Sequence, residues 1–407
     1  MKKILLSSLL SILILSCTTN NTDNISINNE STTEISSTSS IDDMDISPSK
    51  NNQEKVSKLI KEILDNQEKN IIFKSKKLKE TSLANKKAND SYNLFGAVNY
   101  YDDKGNLKLG ANIKVNINSG NSVIKSTFTD ENGKWLIALP KKDFNNKNLS
   151  IFFEFDNKYW NIGNESNKLY SWKIQDIQSL NSDIDTGVVS PIKDSENAKA
   201  AFIHDIYNRY LKMFKQENVD YDAWWKKVNT VWPGSGNFYS FGTVNLTDAD
   251  HWDVNGHEIG HAVTAMGTNS QMGGGQHKID ECYTNALAWS EGFATFLSGV
   301  VNLEKNDTDA KFEFLVPRRA PIRIENVPAD VCKQISNEWR VSSAMWDLYD
   351  TNLDGKDSVA ISFKTIFTSL GNKNKRVGSV QDAFNYIKEN VDANTKQQID
   401  KAFEQNF

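Results

Sequence analysis

Histidine, cysteine, an excess of positive charge and long apolar runs are all scarce or missing in this chain, and each lack narrows what it can be. Of 407 residues, five are His and three are Cys. Lysine and arginine number 47 against 52 aspartates and glutamates, a net charge of −5 that argues against nucleic acid as the main partner. No apolar run reaches the roughly 18 residues that a membrane-spanning helix needs, and no internal repeat is apparent. The hydrophobic fraction is 38% with 10% aromatics, a balance expected when folded domains are diluted by a long polar segment. At this length two or three folded units joined by linkers are expected.

The chain opens with MKKILLSSLLSILILSC: a lysine pair, an apolar run from Ile4 to Leu15, then Ser16-Cys17. The run has the length of a signal-peptide core. ILSC resembles the lipobox of bacterial lipoproteins, with Leu15 standing where a small residue is usual. The resemblance implies a lipid on Cys17 and a membrane-anchored protein at the cell surface or in the periplasm; plain secretion with a chance cysteine is the alternative, and either exports the chain. Residues 18–50 are Ser, Thr, Asn and Asp without periodicity, a solvated tether. Within 51–90, Val56, Ile60, Ile63 and Leu64 recur at helical spacing and predict an amphipathic helix. The basic KSKKLKE that follows suits anionic lipid or plain solvation. Export puts Cys282 and Cys332 where disulfides persist, and the residues support a bridge and two buried thiols equally.

From about 94 to 160 the pattern turns to period two. ANIKVNI alternates at Ile113, Val115 and Ile117, and STFTDENGKWLIALP sets Asn132-Gly133 between two strand-like runs, with Trp135, Ile137 and Leu139 on one face. Hairpins of a small antiparallel sandwich over 91–180 are the expectation. GAVNYYDDKGN and TDENGKWLIALP resemble the carboxypeptidase-regulatory or transthyretin-like modules found beside exported enzymes, which implies a spacer or binding module without catalytic residues. A second polar link near 180–196 precedes the helical ENAKAAFIHDIYNRYLKMFKQ, and VNTVWPGSGNFYSFGTVNLTDADHW reads as strands around a Pro-Gly-Ser-Gly turn.

DVNGHEIGHAVTAMG, residues 253–267, then sets His257 and His261 one helical turn apart, so both imidazoles can reach a single ion. Glu258 is one step round, placed to address a water on that ion without being a ligand. With so few histidines in the chain, a chance His-Glu-x-x-His is improbable. Ile259, Ala262, Val263 and Ala265 make the helix apolar, and burying these polar groups without a partner would cost several kcal/mol, roughly. Zinc is the ion this pattern points to, and it needs a third protein ligand. A further His in the spacing of the metzincins is excluded, because Thr264 and Gly267 stand where that pattern requires Gly and His. Downstream, IDECYTNALAWSEGFATFLSGVV reads as a second apolar helix in which Glu291 has Leu287, Ala288, Ala294 and Thr295 as helical neighbours. A carboxylate there requires a compensating cation.

DVNGHEIGH, WSEG and RVSSAMWDLYD together resemble the gluzincins, the thermolysin-like and fungalysin-like zinc peptidases, over roughly residues 196–407. The resemblance implies an α+β domain with a mostly helical C-terminal half, His257, His261 and Glu291 as metal ligands, and Glu258 as general base. It implies for Asp253 either an orienting contact to an imidazole or a cap on the helix. Two departures stand out. Thr295 occupies the position of an aspartate that supports a ligand in that group, and no His follows His277 to stabilise an oxyanion. Arg340 and Tyr349 are the candidates for that work, with Tyr283 and His277 behind them; Arg340 could equally pair with a carboxylate on its own helix. The aminopeptidase signature Gly-x-Met-Glu-Asn is missing, which favours an endopeptidase. FGTVNLTD is the candidate edge strand for an extended protein or peptide substrate, and QMGGGQHK a mobile loop near the cleft.

DTNLDGKDS sets Asp350, Asn352 and Asp354 at alternate positions before Gly355, the opening of an EF-hand-like calcium loop whose closing position holds Ile361; a helix-ending turn has the same look. The function expected is zinc-dependent hydrolysis of peptide bonds. The alternatives are hydrolysis of a non-peptide amide and a surface binding protein that keeps the peptidase fold without catalysis.

Overall fold

The computed structural model describes residues 90–174 and 176–407. Cys17, the tether and the amphipathic segment lie outside the described residues. Those described form fourteen strands in four small sheets and eight helices, a mixed α and β architecture in which all but one short helix begin at or after Glu196. Among them no helix is long and apolar enough to cross a membrane.

The first sheet is built on β1 (Ser91–Tyr101), which pairs antiparallel with β2 (Leu107–Leu109) and β5 (Lys134–Pro140) and parallel with β9 (Ile184–Val189). The second runs in the order β4 (Ser122–Phe128), β3 (Lys114–Ser119), β6 (Ser150–Glu154), β8 (Ser171–Lys173). Period two does its work here: Ile113, Val115 and Ile117 are buried from one sheet, Trp135, Ile137 and Leu139 from the other, and Trp135 meets Phe153 edge-on at 6.1 Å between them. The Asn132-Gly133 turn does not close a hairpin. β4 pairs with β3 and β5 with β1, so the turn carries the chain from one sheet to the other. Gly133, at φ 71°, accepts from the Val98 amide, and a side chain there would meet the Val98 carbonyl at 2.3 Å. That close approach to β1 delivers β5 to the first sheet. The polar stretch expected as a link near 180–196 contains β9, whose backbone pairing needs no apolar pattern.

A third sheet joins the two halves of the chain. Its order is β11 (Phe238–Ser240), β12 (Thr243–Asn245), β10 (Val228–Val231), β7 (Trp160–Gly163), so FGTVNLTD lies inside the sheet and β11 is the edge. The short β13 (Lys311–Phe312) and β14 (Ile322–Arg323) form the fourth. The helices are α1 (Lys141–Phe144), α2 (Glu196–Gln216), α3 (Trp252–Gly267), α4 (Asn285–Asn302), α5 (Glu338–Asp347), α6 (Phe363–Leu370), α7 (Val380–Lys388) and α8 (Ala393–Asn406). Ser195, Thr284 and Asn337 cap α2, α4 and α5 by accepting backbone N–H bonds. At the junction Trp160 stacks on Tyr207 of α2 at 4.7 Å and donates to His204 Nδ1, while His204 Nε2 bonds the Ala111 carbonyl. Burial lowers the His204 pKa to about 4, so it is a neutral core histidine with both nitrogens used.

α3, α4 and α5 are buried almost all round, so their polar side chains are enclosed along with the apolar ones. Glycines let them close up. A side chain at Gly260 of α3 would lie 2.9 Å from the Ala294 carbonyl, and one at Gly292 of α4 would lie 2.6 Å from both the Glu338 carbonyl and Val341 Cβ. Gly292→Ala is therefore expected to destabilise by about 1–3 kcal/mol through overpacking, although alanine is the better helix former by about 1 kcal/mol. A urea unfolding midpoint that rises instead would contradict this packing.

Candidate metal centre

Two helices converge on one point. α3 supplies His257 and His261 a turn apart, and α4, packed against it through Gly260, supplies Glu291. His257 Nε2 and His261 Nε2 lie 3.2 and 3.1 Å from Glu291 Oε2, and 3.1 Å from each other. All three residues are 0–1% exposed. His257 Nδ1 meets the Thr295 hydroxyl at 2.9 Å, so its ring has a polar partner on the side away from the cluster.

Glu258 is buried beside them and neither of its carboxylate oxygens has a hydrogen-bond partner; Glu291 Oε1 has none either. Burial pushes the Glu258 pKa up to about 8 and the His257 imidazole down to about 4. It works against Glu291 too, yet His261, His257 and His277 around that carboxylate hold it well below the usual range. Two imidazole nitrogens and a carboxylate oxygen thus aim lone pairs at one spot. One proton can satisfy one pair of them; a divalent cation satisfies all three. The group fits a metal on its donor set and on its orphaned oxygens.

His277 is the fourth histidine of the site. It ends the exposed glycine-rich loop, is itself buried, and places Nε2 3.8 Å from Glu291 Oε2 and Nδ1 2.6 Å from Glu338 Oε2. Burial would lower its pKa, but the Glu338 charge, with those of Glu291 and Glu258, holds it at about 9. A side chain at Gly273 would lie 2.4 Å from Leu287 Cα, so the loop backbone packs closely on the start of α4. Around His277 the backbone is pinned as well. Cys282 and Cys332 form a disulfide with Cα atoms 5.8 Å apart, and Asn337 donates to the Ile279 and Glu281 carbonyls at 2.9 and 2.7 Å. These ties hold the His277 segment against the start of α5, where Glu338 stands. Glu338 was not singled out in the sequence, where it reads as an ordinary acidic residue in a first helical turn.

Other candidates are placed elsewhere. Asp253 meets no imidazole, and it does not cap α3 from the N-cap position, which is His251. Its Oδ2 accepts the amides of Glu313, Phe314 and Leu315 at 2.7, 2.7 and 3.1 Å, fastening α3 to that segment. Arg340 gives its guanidinium to the carbonyls of Cys332, Asn406 and Val331, not to a carboxylate of its helix. Tyr349 sits among Phe296, Trp346 and Phe363 with Lys305 over its ring. Tyr283 OH donates to Glu281 and accepts from the Lys278 amide. Asp350, Asn352 and Asp354 lie beyond the C-terminal end of α5, the end opposite Glu338. A surface cavity of about 390 Å³ is lined by Arg318, Arg319, Arg323, Asp330 and Trp339 and contains none of the cluster residues.

No family model matches the chain, and no curated protein matches it. Among solved structures, a 9R-lipoxygenase from Cyanothece is 14% identical over 40% of this chain and 28% of its own length, with a TM-score of 0.16, a likeness too slight to bear on fold or chemistry. Thr295→Val, which removes only the hydroxyl beside His257, is expected to weaken metal binding about 10–100-fold with the fold intact. Competition against a chromophoric chelator measures it, and an unchanged affinity would show that Thr295 gives His257 no support.

Proposed function

We propose that the protein is a zinc-dependent endopeptidase of the gluzincin kind, acting on extracellular proteins or peptides and held at a membrane by lipid on Cys17. The observation that carries the reading is the meeting of His257, His261 and Glu291 at one buried point with the unpaired Glu258 carboxylate beside it. Two imidazoles and one carboxylate suit zinc among the common ions and leave a coordination position open for catalysis. When bound there, zinc supplies Lewis acidity, lowering the pKa of a water towards about 7 and polarising the scissile carbonyl.

The chain's own groups do the rest. Glu258, with no hydrogen bond to satisfy it, takes a proton from the attacking water as the new C–O bond forms. It then gives that proton to the amine nitrogen as the C–N bond breaks. His277, held through Nδ1 by Glu338, has Nε2 free to donate to the oxygen of the tetrahedral intermediate, the role for which Arg340 and Tyr349 were candidates. Strand β11, at the edge of the sheet packed over α3, is where an extended peptide would add as a further strand. Because the cluster is nearly inaccessible, substrate enters by displacing the neighbouring Met272–Gln276 loop, with its three consecutive glycines.

With the full chain, Glu258→Gln is expected to keep its zinc and lose about 10²–10⁴-fold in cleavage of an unstructured protein such as casein. Undiminished cleavage would remove Glu258 from the mechanism, and absence of zinc from the parent would overturn the reading. His277→Phe should lower kcat about 10²–10³-fold at unchanged zinc content. Loss of zinc in that variant would show His277 to be a ligand instead.

A further inference from the structure

We propose that residues 350–357, completed by Glu325, form a calcium site independent of the His–Glu cluster. The loop follows α5 and has oxygen-bearing side chains at Asp350, Asn352 and Asp354, the first, third and fifth positions of an EF-hand-type loop. Gly355 stands at the sixth in the left-handed conformation, φ 50°. The twelfth position, where such a loop takes a bidentate glutamate, is Ile361, which is buried in the core. Its substitute comes from elsewhere in the chain. Glu325, just after β14, reaches the loop: Oε1 accepts from the Asn352 side chain, and Trp346 Nε1 holds Oε2 at 2.8 Å. Asp357 adds another carboxylate from within the loop.

What points to an ion, beyond the acidity, is Asp350. It is 1% exposed, and its Oδ1 has no hydrogen-bond partner. The groups it faces are Glu325, Asp357 and Asp354. Among the described residues, no Lys, Arg or His ion pair reaches Glu325, Asp347, Asp350, Asp354 or Asp357; the nearby Lys356 turns to Glu404. Burial, with the mutual repulsion of these carboxylates, raises the Asp350 pKa to about 8 and that of Asp357 to about 6. Buried carboxylates that lack a cationic side chain need either protons or a metal. An all-oxygen set on an irregular loop selects calcium over zinc, and calcium accepts an irregular geometry where the smaller magnesium demands a near-ideal octahedron.

The site has a structural consequence. Gln405 Nε2 donates to Asp354 Oδ1 at 3.0 Å, and Asn406 Nδ2 donates to Asp347 Oδ2 at 2.7 Å, so the end of α8 already rests on the loop. An ion at the loop fastens α8, the end of α5 and the segment after β14 to one another.

The test uses the full chain, stripped of metals and reloaded with zinc alone. Calcium chloride should raise its thermal unfolding midpoint by roughly 5 °C with saturation, half-maximal at about 10⁻⁴–10⁻³ M, and magnesium should do far less. Terbium should bind in calcium's place and emit on excitation of tryptophan, Trp346 being one hydrogen bond from Glu325. Asp354→Asn, at a half-buried position, should fold and shift the calcium midpoint at least about tenfold; Glu325→Gln should do the same and lose the terbium emission. A parent chain that responds to neither ion up to about 10 mM, or an unaltered response in Asp354→Asn, overturns the proposal. Because zinc occupancy is fixed beforehand, that failure is distinct from a failure of the peptidase reading.

Discussion

A carboxylate buried between helices must be compensated, and much of the molecule is arranged around that demand at Glu291. Three imidazoles surround it, two of them on the next helix, and the approach of that helix depends on Gly260 lying against the Ala294 backbone. On the other face of α4, Gly292 admits the start of α5, whose first residue, Glu338, carries the partner of His277. The cluster is therefore set by backbone packing more than by side-chain flexibility. Its polar atoms sit in low dielectric, where unsatisfied groups cost most and where a bound cation is held most firmly.

The same demand decides which residues remain available for chemistry. Asp253 on α3 and Arg340 on α5 are ionisable and buried, yet both are spent on backbone groups, Asp253 on three amides and Arg340 on three carbonyls. They serve as fasteners between segments. Glu258 has no such tie, and His277 keeps one nitrogen clear. A buried group left without a partner is costly, and its persistence marks the place where a ligand or a reacting atom belongs.

The helical metal motif was legible because it is local: His257, Glu258 and His261 need only the 3.6-residue period, and Glu291 was visible as a carboxylate in an apolar helix. Strands β3 and β5 were legible from alternation at Ile113, Val115, Ile117 and at Trp135, Ile137, Leu139. What escaped depends on contacts distant in the chain. Asn132-Gly133 looks like a hairpin turn until Val98 claims the Gly133 backbone. β9 has no apolar alternation, because pairing with β1 alone makes it a strand. FGTVNLTD reads as an edge only until β10 and β11 flank it. The Glu338–His277 pair has no signal in either local sequence, and Cys282 and Cys332 acquire their meaning from holding those two segments together.

The most direct measurement of the central claim is zinc X-ray absorption on the purified full chain. The result expected is one zinc with four nitrogen or oxygen neighbours at about 2.0–2.1 Å and outer-shell scattering from two imidazoles, reduced to one by His261→Ala. A sulfur neighbour, a six-oxygen shell or an absence of imidazole scattering would contradict a hydrolytic zinc centre built on His257, His261 and Glu291.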